Sequence, residues 1–257
     1  MLYLDESLRP YFSEKTPLFD QLMTLGGEQF RSLEGRLTQR VRLGDKTYFI
    51  KQHRGVGWKE IVKNLAQLRL PVLGARNEWL ALQALATLGI AAPKVMAYGE
   101  RGINPAKQES FVLMEDLTPA TSLEDLGKTW AATPPSFAFK KQVIGEVARI
   151  AKILHKNGIN HRDFYICHFL WHHQAAFQLS LIDLHRAQIR RLTPTRWIIK
   201  DLAGLYFSSK DIGLTKRDLY RFMKLYSEKS LREIFCTETE FWQKVKIRGE
   251  QLYHDHT

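Results

Sequence analysis

From Arg36 to Lys51 the chain roughly alternates apolar and polar residues across a Gly44-Asp45 turn, whereas beyond residue 140 its apolar residues recur at helical spacing. A period of two and a period of 3.6 cannot be buried by the same kind of layer, so the pattern calls for an α+β fold in two parts. Leu37, Val41 and Leu43, then Thr47-Tyr48-Phe49-Ile50, read as a β-hairpin closed by a glycine-containing two-residue turn. Trp58, Ile61, Val62, Leu65 and Leu68 form one helical stripe ending before Pro71, and a second helix is expected from about Ala75 to Leu88 with Gly89 as its stop. Val95–Tyr98 and Phe111–Glu115 look like strands. After the crossing near residues 114–120, Val143, Ile144, Val147, Ile150, Ala151 and Leu154 mark a long amphipathic helix closed by Gly158. Phe177, Leu179 and Leu181 alternate as a strand leading to Asp183, and segments near 196–207, 215–226 and 238–253 read as helices. The expected division is a strand-rich N-terminal lobe over 1–116 and a helical C-terminal lobe over 117–257.

Charge narrows the partners. The chain of 257 residues carries +11, and residues 36–70 hold nine Lys/Arg against two acids. A second run, Arg186, Arg190, Arg191, Arg196 and Lys200, contains no acid. Such fields attract nucleic acid, phosphorylated substrates or anionic membrane, or else are plain solvated faces. No recognised nucleic-acid motif organises these residues, so nucleic acid is not an expected partner. No apolar run approaches the roughly 18 residues that span a bilayer, and Met1-Leu2-Tyr3-Leu4-Asp5-Glu6 is too acidic for a secretory signal. Two cysteines, Cys167 and Cys236, make no disulfide framework. The expected setting is cytoplasmic. Cys167, His168, His172 and His173 lack the paired spacing of a zinc site.

Four charged residues interrupt apolar runs. Lys51 ends a strand, Glu78 lies on the following helix, Asp163 follows His161-Arg162 after the long helix, and Asp183 ends Leu181-Ile182. Each alone has an ordinary reading: a snorkelling lysine, a helix cap, a turn former. Together, in this order, they are the parts of phosphoryl transfer from a magnesium nucleotide.

Longer stretches carry a specific resemblance. His161-Arg162-Asp163 is similar to the catalytic loop of the protein-kinase-like superfamily, and Ile182-Asp183-Leu184-His185 stands where that superfamily places its metal aspartate. The run from Gly158 to Leu170, the run Leu181-Ile182-Asp183-Leu184-His185-Arg186-Ala187-Gln188, and Lys200-Asp201-Leu202-Ala203-Gly204-Leu205-Tyr206-Phe207-Ser208-Ser209 resemble the WaaP (RfaP) family of lipopolysaccharide core heptose kinases. Asn64-Leu65-Ala66, Leu70-Pro71-Val72-Leu73-Gly74-Ala75 and Met114-Glu115-Asp116-Leu117-Thr118-Pro119 extend the likeness toward the N-terminus. It covers almost the whole chain and fades after about residue 235.

The resemblance implies a kinase-like two-lobed fold and transfer of the γ-phosphate of ATP, with Mg2+, to a heptose of the lipopolysaccharide inner core, the first heptose above all. Asp163 would be the catalytic base and Arg162 would brace its loop. Asp183 would bind magnesium, Lys51 the phosphates, and Glu78 would hold Lys51. Met114, Glu115 and Leu117 would form the adenine hinge, and Asp201 would anchor the catalytic loop from below. The implied place is the cytoplasmic face of the inner membrane of a Gram-negative bacterium, as a peripheral enzyme meeting acidic sugars, lipid head groups or an acidic protein partner.

Two departures stand out. His168 occupies the position of the second metal ligand, an asparagine in protein kinases, and reads either as a ligand or as a hydrogen-bonding residue. No Gly-x-Gly-x-x-Gly is present, so backbone amides near 26–31, with Arg31 and Arg36, are the expected phosphate cover. Two other classes stay open: a kinase for a soluble small-molecule or sugar acceptor, told apart by phosphorylation of free sugars, and a catalytically inactive binding module, told apart by failure to bind magnesium-ATP.

Overall fold

The computed structural model describes residues 1–33, 35–66, 71–173 and 176–256. The chain forms two compact units, Met1–Ala84 with Pro93–Thr118, and Leu85–Ala92 with the residues from Pro119 onward.

The first unit is built on one six-stranded antiparallel sheet with strands in the order β1-β5-β6-β4-β3-β2. Its strands are β1 (Leu2–Leu4), β2 (Glu28–Leu33), β3 (Arg36–Leu43), β4 (Lys46–Arg54), β5 (Val95–Arg101) and β6 (Glu109–Glu115). The β3–β4 hairpin is in place: Leu43 pairs with Lys46, and Gly44 makes the turn at φ 61°, a left-handed conformation glycine adopts without a Cβ clash. Pleating sends Tyr48, Ile50 and Gln52 to the buried face, where Ile50 packs with Leu8, Leu22, Val41, Leu43, Phe111 and Leu113. Helix α1 (Leu18–Thr24) covers that face through Phe19, Leu22 and Met23. Lys51 therefore projects to the opposite face. It lies inside β4 and does not end it: Gln52 and His53 continue the ladder although polar, both buried, with Gln52 bonded to Gln39 at 3.1 Å and to the Leu22 carbonyl at 2.8 Å.

Helix α2 (Gly57–Ala66) follows, and the Leu68 end of the expected stripe, with Leu70 of the quoted motif, lies outside the described residues. Helix α3 (Arg76–Thr87) runs as the spacing predicts and stops before Gly89 at φ 64°. It is seated by Trp79, whose ring stacks on Tyr98 of β5 at 4.2 Å and 5°.

The second unit is mainly helical. A three-stranded sheet joins β7 (Ala120–Ser122), β9 (Phe169–His172) and β10 (Leu179–Leu181), and β8 (Ile159–Asn160) pairs with β11 (Gln188–Ile189). The helices are α4 (Leu123–Gly127), α5 (Phe137–Lys156), α6 (Thr195–Ser208), α7 (Lys216–Ser227), α8 (Leu231–Thr237) and α9 (Thr239–His254). The long helix α5, capped by Ser136, buries the expected stripe from Val143 to Leu154. Gly158 ends it at φ 77°, and a Cβ there would sit 1.7 Å from the Arg190 carbonyl oxygen, so glycine is what lets β8 and β11 close. Helices α5 and α7, and α6 and α9, pack against each other. Among them lies a cavity of about 610 Å³ with largely apolar walls, lined by Leu123, Trp130, Val147, Leu205, Phe222 and Trp242. No helix among the described residues is long and apolar enough to cross a membrane.

Candidate active site

In the first unit the structure joins Lys51 to Glu78. The Nζ lies 2.7 Å from Glu78 Oε1, and the Glu78 side chain is 1% exposed. Its other oxygen, Oε2, is buried without a hydrogen-bond partner, so the carboxylate depends on the lysine. The pair joins the sheet's second face to the first turn of α3.

Met114 and Glu115 close β6, followed by Asp116 and Leu117. The Glu115 amide donates to the Lys94 carbonyl at 2.9 Å and the Asp116 amide to Thr47 at 3.3 Å, while the Leu117 amide meets no partner among the described residues. Burial would raise the Asp116 carboxyl, but donors from Thr118, Thr47 and Arg40 outweigh it and hold it below its ordinary value. This fixes the segment that leads to Leu117. Some of the residues expected over the phosphates are already engaged within the protein. Gln29 and Arg31 are paired into β2, the Gly27 amide is held by Gln39 Oε1 at 3.0 Å, and Arg36 Nη2 is spent on the Val72 carbonyl at 2.5 Å.

In the second unit Asp201 organises the loop that carries His161, Arg162 and Asp163. Fully buried on α6, it accepts the amides of His161 (2.7 Å) and Arg162 (2.8 Å), and His155 Nε2 lies 3.4 Å away. Arg162 takes a left-handed backbone at φ 75°, and Asp163 follows it. Asp163 Oδ1 accepts from Arg186 Nη1 at 2.7 Å. Sequence reasoning gave Arg186 only a share in a basic run; its position three residues after Asp183 was the available signal. The Arg162 guanidinium reaches the Trp197 ring at 5.5 Å, where Arg190, Arg196 and Lys200 converge at 5.7, 5.4 and 4.5 Å. The acid-free run is thus gathered, in part, beside the catalytic loop.

Asp183 also has a left-handed backbone, at φ 60°. His185 Nδ1 is 2.9 Å from its Oδ1, and His168 Nε2 is 3.6 Å from its Oδ2. His168 Nδ1 lies 2.7 Å from the Asp163 carbonyl, which can only accept, so Nδ1 carries the proton and Nε2 is the nitrogen turned to Asp183. Asp183 offers the oxygen ligand that magnesium prefers, whereas the facing nitrogen of His168 is a softer donor, better suited to hydrogen-bonding. No group of three or more such ligands occurs among the described residues. His161, stacked on His168 at 5.6 Å, donates Nε2 to the Ile182 carbonyl at 3.0 Å, and burial lowers its pKa below the ordinary histidine value.

A strand lysine held by a helix carboxylate, and two loop aspartates carried by a helical unit, are how protein-kinase-like phosphotransferases handle a nucleotide and a hydroxyl acceptor. The chain belongs to the lipopolysaccharide kinase (Kdo/WaaP) family, whose profile matches residues 20–226. It is 46% identical to the lipopolysaccharide core heptose(I) kinase WaaP of Pseudomonas aeruginosa, over 98% of this chain and 96% of that protein. The same identity holds with its counterpart in Escherichia coli K12, over 98% and 97%. Among solved structures, WaaP in complex with acyl carrier protein superposes with a TM-score of 0.85 at 41% identity, covering 98% of this chain and 99% of that one.

Proposed function

We propose that this protein is an ATP-dependent kinase that phosphorylates a heptose of the lipopolysaccharide inner core, heptose I in particular. The observation that carries the reading is the loop holding Asp163, hung from Asp201 and joined to Arg186, in a chain nearly half identical to heptose(I) kinases along its full length.

Asp163 accepts the proton of the sugar hydroxyl and aims its oxygen. Arg186 fixes one carboxylate oxygen, which leaves Oδ2 for the acceptor. Lys51, held by Glu78, binds donor phosphate, and the Glu115 and Leu117 backbone holds adenine. Asp183, with His168 beside it, would hold Mg2+, which would supply neutralisation of phosphate charge. Arg162, Arg190, Arg196 and Lys200 favour an acceptor rich in carboxylate and phosphate. Two lobes, 1–116 and 117–257, share this work within one kinase-like domain.

The acceptor is lipid-borne, which places the enzyme peripherally at the cytoplasmic face of the inner membrane. An acyl carrier protein is the proposed acidic partner: the basic chain suits its charge, and the 610 Å³ cavity suits an acyl chain.

The test is ATP-dependent phosphate incorporation into heptose-containing lipopolysaccharide that lacks core phosphate. Wild type should incorporate phosphate, and Asp163→Asn should lose about 10²- to 10⁴-fold, the usual share of a general base. Folded, ATP-binding protein that incorporates none would overturn the reading.

A further inference from the structure

Helix α2 bears an apolar face that the protein leaves uncovered. Trp58, Val62 and Leu65 are 56%, 60% and 53% exposed, whereas Ile61 is the one buried member of the stripe among the described residues. At 100° per residue the three exposed side chains fall within an arc of about 60°. Lys59 and Lys63 follow about 60° and 100° beyond one edge of that arc, with Lys63 3.5 Å from Glu60. Among the described residues α2 packs extensively on no other helix or strand. Gly55, just ahead of it, and Gly57, its first residue, are both at positive φ.

A helix that merely faces water carries polar residues on that side, and one that packs on its own protein buries its stripe. This one does neither. We infer that α2 is an interfacial helix that lies on an anionic lipid bilayer, with Trp58, Val62 and Leu65 entering the head-group and acyl boundary and Lys59 and Lys63 meeting lipid phosphates.

Three features select a bilayer over a protein partner. The stripe is narrow, as suits shallow entry into a fluid surface. Its aromatic member is tryptophan, which prefers the head-group level. One side of it is cationic, within a segment of net +7. The inference deepens the proposed function, since a kinase with a lipid-borne acceptor gains from sharing its surface; it rests on that reading for purpose only.

The experiment uses the full-length protein and vesicles of phosphatidylethanolamine with about 30% phosphatidylglycerol, free of lipopolysaccharide and ATP. Wild type should co-sediment, bind neutral phosphatidylcholine vesicles less, and release as salt rises through the range where surface charges are screened. Trp58→Ser/Val62→Ser/Leu65→Ser should bind at least tenfold more weakly, and Lys59→Glu/Lys63→Glu similarly. Brominated lipids should quench wild-type fluorescence more than that of Trp58→Phe. Because the changed side chains are exposed, thermal unfolding should not move, and phosphorylation of a deacylated, soluble acceptor should persist in both variants. Vesicle binding of the triple variant equal to wild type would overturn the inference. So would loss of self-association in sedimentation velocity without loss of vesicle binding, which would make the face a contact between copies. Failure of heptose phosphorylation would leave the vesicle result standing and would count against the proposed function alone.

Discussion

Arg186 donates to Asp163 at 2.7 Å, so the residue proposed to take the acceptor's proton is held from outside its own loop. The contact sets which carboxylate oxygen faces the sugar. Arg186→Ala should lower kcat about 10- to 100-fold, in keeping with the cost of a misplaced catalytic group, and leave the KM for ATP unchanged. Arg186→Lys should restore part of the rate. Steady-state kinetics with both substrates varied decides it. A raised KM for lipopolysaccharide at unaltered kcat would show an acceptor-binding arginine instead.

Lys51 and Glu78 make a sharper thermodynamic case. Glu78 is enclosed and its second oxygen is unpartnered, so removal of the lysine strands a charge. Lys51→Met should destabilise the fold by about 3 kcal/mol, while Lys51→Met/Glu78→Leu should recover most of that loss, as buried pairs replaced together usually do. Both variants should be inactive. Urea unfolding supplies the cycle, and a double variant no more stable than the single would refute the account.

Asp201 has both oxygens occupied by backbone amides. In Asp201→Asn an amide NH2 must face an N–H donor, a loss of about 1–3 kcal/mol for the unsatisfied groups. Activity should fall with the loop's order. Denaturant midpoints and phosphate incorporation measured on the same preparations test both parts.

His161 is held neutral by burial, its pKa below the ordinary value near 6.5. The unfolded chain then binds the extra proton first. The stability contributed is complete above about pH 6.5 and is lost as pH falls toward the folded pKa. Melting temperature should therefore decline on acidification from pH 7 to 5, and the decline should be shallower in His161→Gln. Parallel slopes for the two proteins would remove His161 as the cause.

Elements with their own start and stop signals were legible in the sequence. The β3–β4 hairpin carried its Gly44 turn, and α3 and α5 carried glycine stops at 89 and 158. What was not legible is set by distant partners. Strand β1 exists through pairing with β5 some ninety residues on, and β2 and α1 form around the same sheet. Lys51 read as a strand end because Gln52 and His53 are polar, yet each is buried within the sheet. Glu78, Asp163 and Asp183 stand out as candidates by their order along the chain, whereas Arg186 on Asp163 and His185 on Asp183 depend on a turn whose left-handed residue is not glycine. The outward face of α2 was equally hidden, since periodicity finds a stripe without saying which way it points.

Both loops of the candidate site turn on a residue that would prefer another conformation: Arg162 at φ 75° and Asp183 at φ 60°. A non-glycine residue in that region costs about 1 kcal/mol or more. Glycine at either place would relax the chain while deleting a guanidinium or a carboxylate. Selection for heat resistance alone would therefore drive this molecule toward a sturdier and silent version of itself, and a screen for thermostable variants will have to be run with turnover as a second criterion.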